Sequence, residues 1–184
     1  MKNELILCDF FGVICSEVAP RWFAAHFDPD TAVRLKEQYF GKVDLGEITM
    51  EDTLTMIAAD YGLDRDRLAA DWEKLFERQD DMISRLRELK RDYHLVLLSN
   101  AGTGVVEKVM DDFGINDIFE KRFISANLGI KKPDPAIYRL AVDSYNEKFD
   151  RIYMIDDNIS NLECLPEMGI IPVLYRDVRD VAFL

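Results

Sequence analysis

Five residues with oxygen-bearing side chains stand directly after short apolar stretches of this sequence, where they could take part in chemistry. They are Asp9 after Leu5–Cys8, Ser99 and Asn100 after Leu95–Leu98, and Asp156 and Asp157 after Arg151–Ile155. If the stretches are parallel strands, their carboxyl ends meet at the edge where open α/β sheets bind ligands. Carboxylates gathered there would repel one another, and a divalent cation would remove that penalty. Oxygen ligands suit Mg²⁺, which usually takes one or two carboxylates beside a phosphate.

A phosphate beside such a cation would need hydrogen-bond donors, and the sequence offers several. Candidates are the Ser99 hydroxyl, backbone N–H groups near Gly12 and Asn100, and the ammonium group of Lys132 in a predicted loop. Asp9 is the candidate nucleophile, because a carboxylate in line with phosphorus can attack it and form an aspartyl phosphate.

Each of these features also has a purely structural interpretation. A single acid after a strand is often a turn former, and the stretch "DDNISN" could simply cap a helix. The occurrence of all the features together, in this order along the chain, favours the functional interpretation.

The elements that would position these residues alternate along most of the chain. Short, continuous apolar runs are typical of strands buried on both faces of a parallel sheet. Phe123–Ile124 and Pro172–Leu174 are weaker strand candidates, and helical patterns lie over Val105–Phe113, Pro135–Val142 and Ile159–Met168. This alternation predicts an α/β fold, a Rossmann-like parallel sheet flanked by helices and built from βαβ units.

One region interrupts the alternation of strands and helices. Between about residues 20 and 80 there is no strand pattern, and apolar residues recur at helical spacing. Thr49, with Asp52 three residues later, predicts the capped start of one of these helices. We therefore predict a small helical insertion at 16–80, placed within a core formed by 1–15 and 81–184.

The composition of the chain limits its expected location and partners. The chain has 184 residues and a formal net charge of −12, which nucleic acid and anionic membranes would repel. No apolar run approaches the ~20 residues of a membrane span, and the N-terminal stretch lacks the features of a signal peptide. Cys8, Cys15 and Cys164 have no metal-type spacing and are expected to be reduced, buried thiols. We expect a cytoplasmic monomer or homodimer.

The order of these motifs resembles that of the haloacid-dehalogenase-like (HAD) hydrolase superfamily. The motifs are "LILCDFFGVI", "LVLLSNAG", "GIKKPDPAIYRLA" and "IYMIDDNISNLECLPEMGI", and the resemblance covers essentially the whole chain. They are most similar to the branch with a small helical cap inserted after the first strand. That branch includes sugar-phosphate phosphatases and 2-haloacid dehalogenases.

The resemblance implies a role for each motif residue and a Mg²⁺-dependent phosphatase acting on a small organic phosphate. The implied roles are nucleophile for Asp9, phosphate binding for Ser99, charge neutralisation for Lys132, and Mg²⁺ binding for Asp156 and Asp157. Which member of the acidic pair binds the metal directly, and which binds it through water, stays open. In this family the carbonyl two positions after the nucleophile, here that of Phe11, also binds the metal.

Phe11 departs from the family pattern. Most phosphatases of the superfamily carry a second Asp there, which protonates the leaving oxygen and later activates water. Phenylalanine can do neither, and general acid–base help is worth roughly 10²–10⁴-fold. The loss would be smallest for a good leaving group, such as that of an anomeric sugar phosphate or an acyl phosphate.

Two alternatives to a phosphatase follow from Phe11. Dehalogenases of the family often carry an aromatic residue there and use no Mg²⁺, but they need a cationic anchor, for which Arg21 and Lys42 are candidates. An unneutralised Asp156–Asp157 pair would repel their carboxylate substrate, which favours the phosphatase. The other alternative is a protein that keeps the fold and metal site but acts in binding or regulation.

The helical insertion is expected to close over the strand ends and to select the substrate. Phe10, Phe11 and the aromatic residues around Trp22 predict a partly apolar mouth that suits a small organic phosphate. His26, which stands in the same aromatic group, is expected to be structural, and Cys8 and Cys15 are expected in the core.

Overall fold

The computed structural model describes residues 3–184, and its centre is a five-stranded parallel sheet. The spatial order is β3-β2-β1-β4-β5, and each neighbouring pair runs in parallel. The strands are β1 (Glu4–Cys8), β2 (His94–Ser99), β3 (Lys121–Ile124), β4 (Arg151–Asp156) and β5 (Ile171–Leu174). The sheet confirms the predicted α/β class and all five strand positions, with each strand extending slightly beyond its predicted run.

Strand β1 shows why the central strands read as continuous apolar runs. Ile6 belongs to one hydrophobic core cluster, whereas Leu5 and Leu7 belong to a second cluster, as alternation along a strand requires. Strand β2 divides its side chains between the same two clusters. Both faces of the sheet are therefore covered, and polar residues are confined to the strand ends.

The helices of the core lie on both faces of the sheet. Helices α6 (Asp80–Leu89) and α7 (Val105–Phe113) contribute side chains to the first cluster, and α9 (Pro135–Asp143) contributes to the second. The short helix α8 spans Ser125–Leu128. Helix α7 has the predicted bounds, and this two-sided arrangement confirms the Rossmann-like architecture.

Helices occupy most of the chain between β1 and α6. They are α1 (Ala19–His26), α2 (Pro29–Leu35), a π-helical turn (Lys36–Phe40), α3 (Gly41–Asp44), α4 (Met50–Tyr61) and α5 (Arg65–Glu73). Their buried side chains form a third hydrophobic cluster that includes the fully buried Trp22. A separate core supports the proposed division of the chain into a helical insertion at 16–80 and a core at 1–15 and 81–184.

The capped start predicted for a helix of the insertion is confirmed at α4. The Thr49 hydroxyl accepts the backbone N–H of Asp52 at 3.0 Å, and the Asp52 carboxylate accepts the backbone N–H of Thr49 at 3.3 Å. These reciprocal bonds satisfy donors that the first helical turn would otherwise leave unpaired.

The helix predicted over Ile159–Met168 is wrong. The segment instead contains two separate 3₁₀ turns, Ile159–Asn161 and Pro166–Met168. Pro166 has no N–H to continue an α-helix. The side chain of Asn161, moreover, is directed to the Asp156 carboxylate and bonds both of its oxygens.

Within residues 3–184, none of the helices combines the length and the apolar character that crossing a bilayer requires.

Candidate active site

The three predicted acids meet at the carboxyl edge of the sheet. Strands β1 and β4 pair with Cys8 opposite Ile155, and the backbone N–H of Asp9 donates to the Ile155 carbonyl at 2.9 Å. This register places Asp9 beside Asp156. One carboxylate oxygen from each of Asp9, Asp156 and Asp157 lies within 4.8 Å of the others.

Lys132 lies between two of these acids. Its Nζ is 2.9 Å from Asp9 Oδ1 and 2.6 Å from Asp156 Oδ2, and the residue is only 2% exposed. Burial acts to lower the pKa of Lys132, but Asp9 and Asp156 outweigh it and raise that pKa above its ordinary value. Lys132 is therefore an ammonium group that neutralises part of the acidic cluster.

The loop that carries Lys132 is fixed at both ends. The side-chain amide of Asn100 donates to the Lys132 carbonyl and accepts the Lys132 backbone N–H, both at 2.9 Å. Two residues beyond Lys132, the Asp134 carboxylate caps α9 by accepting the backbone N–H of Ala136 at 2.8 Å. The Asn100 side chain is thus used in holding this loop, which leaves its backbone N–H as the group proposed for phosphate.

Ser99 ends strand β2 and is completely buried. Within the described part of the chain its hydroxyl has no hydrogen-bond partner. The cavity wall includes the neighbouring Asn100 but not Ser99 itself. A buried hydroxyl without a partner is uncommon in a folded protein, so a missing ligand is one physical explanation for it.

Asp156 is oriented by a residue that the sequence interpretation missed. The Asn161 amide donates to Asp156 Oδ1 at 3.0 Å and to Oδ2 at 3.1 Å, and the backbone N–H of Asn158 adds a bond of 2.8 Å to Oδ1. Asn161 belongs to the stretch "DDNISN", but no spacing rule in the sequence assigns it to the site. Such bonds fix the direction of a carboxylate that binds a metal.

Gly12 allows the Asp157 side chain to reach the site. Its φ is +80°, which favours glycine, and a Cβ at this position would overlap the Asp157 carboxylate. The guanidinium of Arg176 donates to the Asp157 carbonyl at 2.6 Å and so holds the backbone of the same residue.

A cavity of about 400 Å³ opens above these groups. It is lined by Asp9, Asp157, Lys132 and Phe11, and by residues of the helical region that no sequence motif had indicated. Phe11 lines the cavity and packs against Phe76, with 6.2 Å between ring centroids. Phe10 and Trp22, which were also predicted at the mouth, are fully buried and do not line it. The additional charged residues in the wall are Glu17, Lys36, Asp44 and Lys131.

Other residues singled out in the sequence lie outside the cavity wall. Arg21 is exposed and forms two bonds of 2.9 Å to the Glu77 carboxylate, and Lys42 is an exposed residue of α3. Neither of them lines the cavity. His26 packs beside the Trp22 ring, with 5.2 Å between centroids, as expected of a structural histidine.

The electrostatics of the site favour a bound cation. Burial raises the pKa of Asp9 well above its usual range, with Lys132 opposing and Asp156 adding to the rise. Burial and Asp156 also raise the pKa of Asp157. One ammonium group faces three carboxyl groups, so the negative charge of the cluster is only partly neutralised. All the candidate ligand atoms are oxygens, which is the set that Mg²⁺ prefers.

An acidic centre at the carboxyl edge of a parallel sheet defines a class of α/β proteins that bind small molecules there. Within that class, residues 4–169 match the family model described as "Hydrolase: haloacid dehalogenase-like hydrolase". The chain therefore belongs to the haloacid dehalogenase-like hydrolases, as the motifs predicted.

Solved structures show the same fold. A HAD family enzyme of Bacteroides thetaiotaomicron has a TM-score of 0.81 and 20% identity, with 97% of this chain and 96% of that chain covered. The same enzyme in complex with magnesium and inorganic phosphate has a TM-score of 0.79 and 20% identity, covering 100% and 98%. An L-2-haloacid dehalogenase has a TM-score of 0.66 and 20% identity, covering 92% and 82%.

Curated relatives match more weakly and are much longer. Bifunctional epoxide hydrolase 2 of Rattus norvegicus is 36% identical over 53 residues, which are 29% of this chain and 10% of that protein. Drimenol cyclase drtB of Aspergillus calidoustus is 23% identical over 157 residues, which are 80% and 29% respectively. The chain thus spans less than a third of either relative.

Proposed function

We propose that this chain is a Mg²⁺-dependent phosphatase that hydrolyses a small organic phosphate, such as a sugar phosphate. The observation that carries the proposal is the meeting of the Asp9, Asp156 and Asp157 carboxylates within 4.8 Å, with Lys132 bonded to two of them. The complex of a fold relative with magnesium and inorganic phosphate supports the same assignment.

The proposed metal ligands are the three carboxylates and the backbone carbonyl of Phe11. Asp156 and Asp157 would be the acidic pair that holds the ion beside Asp9. Mg²⁺ held there would supply positive charge that offsets the repulsion among the carboxylates and that of the phosphate.

The reaction proceeds in two displacements at Asp9. In the first, an Asp9 carboxylate oxygen bonds to phosphorus as the ester P–O bond breaks and the alcohol departs. Lys132, the Ser99 hydroxyl and backbone N–H groups near Gly12 and Asn100 stabilise the charge on the phosphoryl oxygens. In the second, a water oxygen bonds to phosphorus, the Asp9–phosphorus bond breaks and inorganic phosphate leaves.

A 2-haloacid dehalogenase is the second candidate. Phe11 and the likeness in fold to an L-2-haloacid dehalogenase favour it, and Lys36 in the cavity wall could serve as its anchor. The acidic pair beside Asp9 weighs against it, because carboxylates would repel both the substrate and the departing halide. A non-catalytic binding protein is favoured by Phe11 alone.

A broad panel of small organic phosphates, with and without Mg²⁺, tests the proposed function. We expect hydrolysis that requires Mg²⁺ and is abolished in Asp9→Asn, because an amide cannot form the phosphoenzyme. Asp143→Asn, which changes an exposed acid at the end of α9, is the matched control and should keep activity. Metal-independent chloride release from a 2-chloro acid would instead identify a dehalogenase, and binding without turnover would indicate a non-catalytic protein.

A further inference from the structure

Phe11 leaves the proposed phosphatase without the usual proton donor, and the cavity contains a carboxyl group that has no other assigned role. We propose that Glu17 donates the proton to the leaving alcohol and later accepts a proton from the attacking water. The proposal rests on the phosphatase function and adds a catalytic residue to it.

Elimination among the carboxyl groups of the cavity wall leads to Glu17. The described residues that line the cavity include four such groups, those of Asp9, Glu17, Asp44 and Asp157. Asp9 and Asp157 belong to the nucleophile and metal cluster, and Asp44 is bound to Lys131 at 3.2 Å. Within residues 3–184, no nitrogen of a Lys, Arg or His side chain lies within 4.0 Å of a Glu17 carboxylate oxygen. Its carboxyl group therefore has no ion-pair partner among these residues, and the backbone N–H of Val18 is the protein group that bonds to it.

The backbone on both sides of Glu17 is anchored. The N–H of Ser16 donates to the Glu77 carbonyl at 2.9 Å, and the Ser16 hydroxyl accepts the Glu77 N–H at 3.1 Å. Val18, on the other side, is buried with 2% exposure. Glu17 itself is exposed at the point where the chain passes from the sheet to the helices. A fixed backbone with a solvent-accessible carboxyl in the cavity suits a group that meets successive substrates.

The charges that face Glu17 favour its protonated form. Partial desolvation raises the pKa of Glu17, and Asp157 and Asp156 add to the rise. Lys36 and a hydrogen bond from the Val18 backbone oppose it, and the net direction is upward. A carboxyl group that keeps its proton closer to neutral pH is better matched to general acid catalysis than an ordinary glutamate.

The proton balance closes over the two displacements. As the ester P–O bond breaks, the proton on the Glu17 carboxyl moves to the leaving oxygen, and Glu17 becomes a carboxylate. As water attacks the aspartyl phosphate, the carboxylate takes the water proton. Glu17 is thereby restored, the alcohol and inorganic phosphate are released, and no further reactant is needed.

Glu17→Gln, measured with aryl and alkyl phosphates in saturating Mg²⁺, tests the proposal. We expect kcat for an alkyl phosphate to fall roughly 10²-fold or more, since its leaving group needs a proton, and kcat for 4-nitrophenyl phosphate to fall far less. The limb of the pH profile that reports Glu17 should disappear. Phe11→Asp should raise the alkyl phosphatase rate by a larger factor in Glu17→Gln than in the unchanged protein, which a merely structural role for Glu17 would not predict.

Asp44→Asn is the matched control, because it also removes a carboxylate from the cavity wall. It should change the rates with both substrates by a similar factor. Equal effects of Glu17→Gln on the two substrates, or no effect on either, would overturn the role of Glu17 while leaving the phosphatase function intact. If the unchanged protein hydrolyses no phosphate with Mg²⁺, the function fails and the role of Glu17 fails with it.

Discussion

Lys132 is the residue on which the charge balance of the site depends. Its ammonium group is buried between Asp9 and Asp156, themselves 7% and 0% exposed. Removing one partner from a buried ion pair leaves an uncompensated charge, which costs far more than losing an exposed pair. The same residue therefore serves both stability and the proposed chemistry.

We predict that Lys132→Met lowers the free energy of unfolding by about 3–5 kcal/mol when measured by urea unfolding in EDTA. Lys131→Met is the control, because that neighbouring lysine is one-third exposed and its pair with Asp44 should contribute only about 0–1 kcal/mol. Similar losses in the two variants would show that the buried ammonium group does not stabilise the fold.

Residues of the site differ in how far the sequence could predict them. Asp9 and Asp156 could be located because each directly follows an apolar run in the sequence, and the sheet brings strand ends together. Asn161 and Glu17 could not, because their positions depend on a 3₁₀ turn and on the path of a connecting segment. Neither feature leaves a periodic pattern in the residues.

At the scale of secondary structure, the capping box at the start of α4 is a local device with a measurable effect. We predict that Thr49→Ala lowers the free energy of unfolding by about 1 kcal/mol, because the backbone N–H of Asp52 loses the hydroxyl that accepts it. Chemical denaturation measures the change. Thr55→Ala, at an exposed position within the same helix, should stay within about 0.5 kcal/mol of the unchanged protein. A loss at Thr55 as large as that at Thr49 would contradict the capping explanation.

The sequence predicted strands and helices correctly where a single pattern, either a continuous apolar run or a helical period, dominated the segment. Strands β1 and β2 are buried on both faces, so their apolar runs are unbroken, and α7 has a clear helical period bounded by glycines. Ile159–Met168 has apolar residues at a similar spacing, but the bonds from Asn161 to Asp156 and the missing N–H of Pro166 override that pattern. Tertiary contacts of this kind are not visible in the spacing of residues.

At the scale of the whole molecule, the three thiols differ in accessibility. Cys8 and Cys15 are buried as predicted, whereas Cys164 is partly exposed, so the prediction of a buried thiol there is wrong. Burial raises the pKa of Cys15 to about 11 and that of Cys8 well above its usual value, so neither forms an appreciable thiolate at pH 8.

We predict that Ellman's reagent at pH 8 titrates one thiol quickly in the folded protein and all three in urea. Cys164→Ser should remove the fast phase. Rapid reaction of two or more thiols without denaturant would show that the core around β1 opens readily. The measurement also reports on folding in every variant described above.

Four conclusions stay predictions. They are the domain division, the cytoplasmic location, the monomeric or homodimeric state and a small organic phosphate as the substrate. The fold followed from alternating apolar runs and helical periods, which report burial. Substrate choice depends on which side chains of the helical region reach the cavity, and residues such as Lys36 and Asp44 carry no motif that marks them.

The pairing of β1 with β4 sets the distance at which Asp9 and Asp156 face each other. Side chains alternate between the two faces of a strand, so a slip of one residue would turn Asp9 away while most backbone hydrogen bonds re-formed. Inserting or deleting one residue within either strand would thus leave a recognisable sheet but would separate the Asp9 side chain from that of Asp156. The relative register of these two strands is therefore a requirement of the site itself and not only of the sheet.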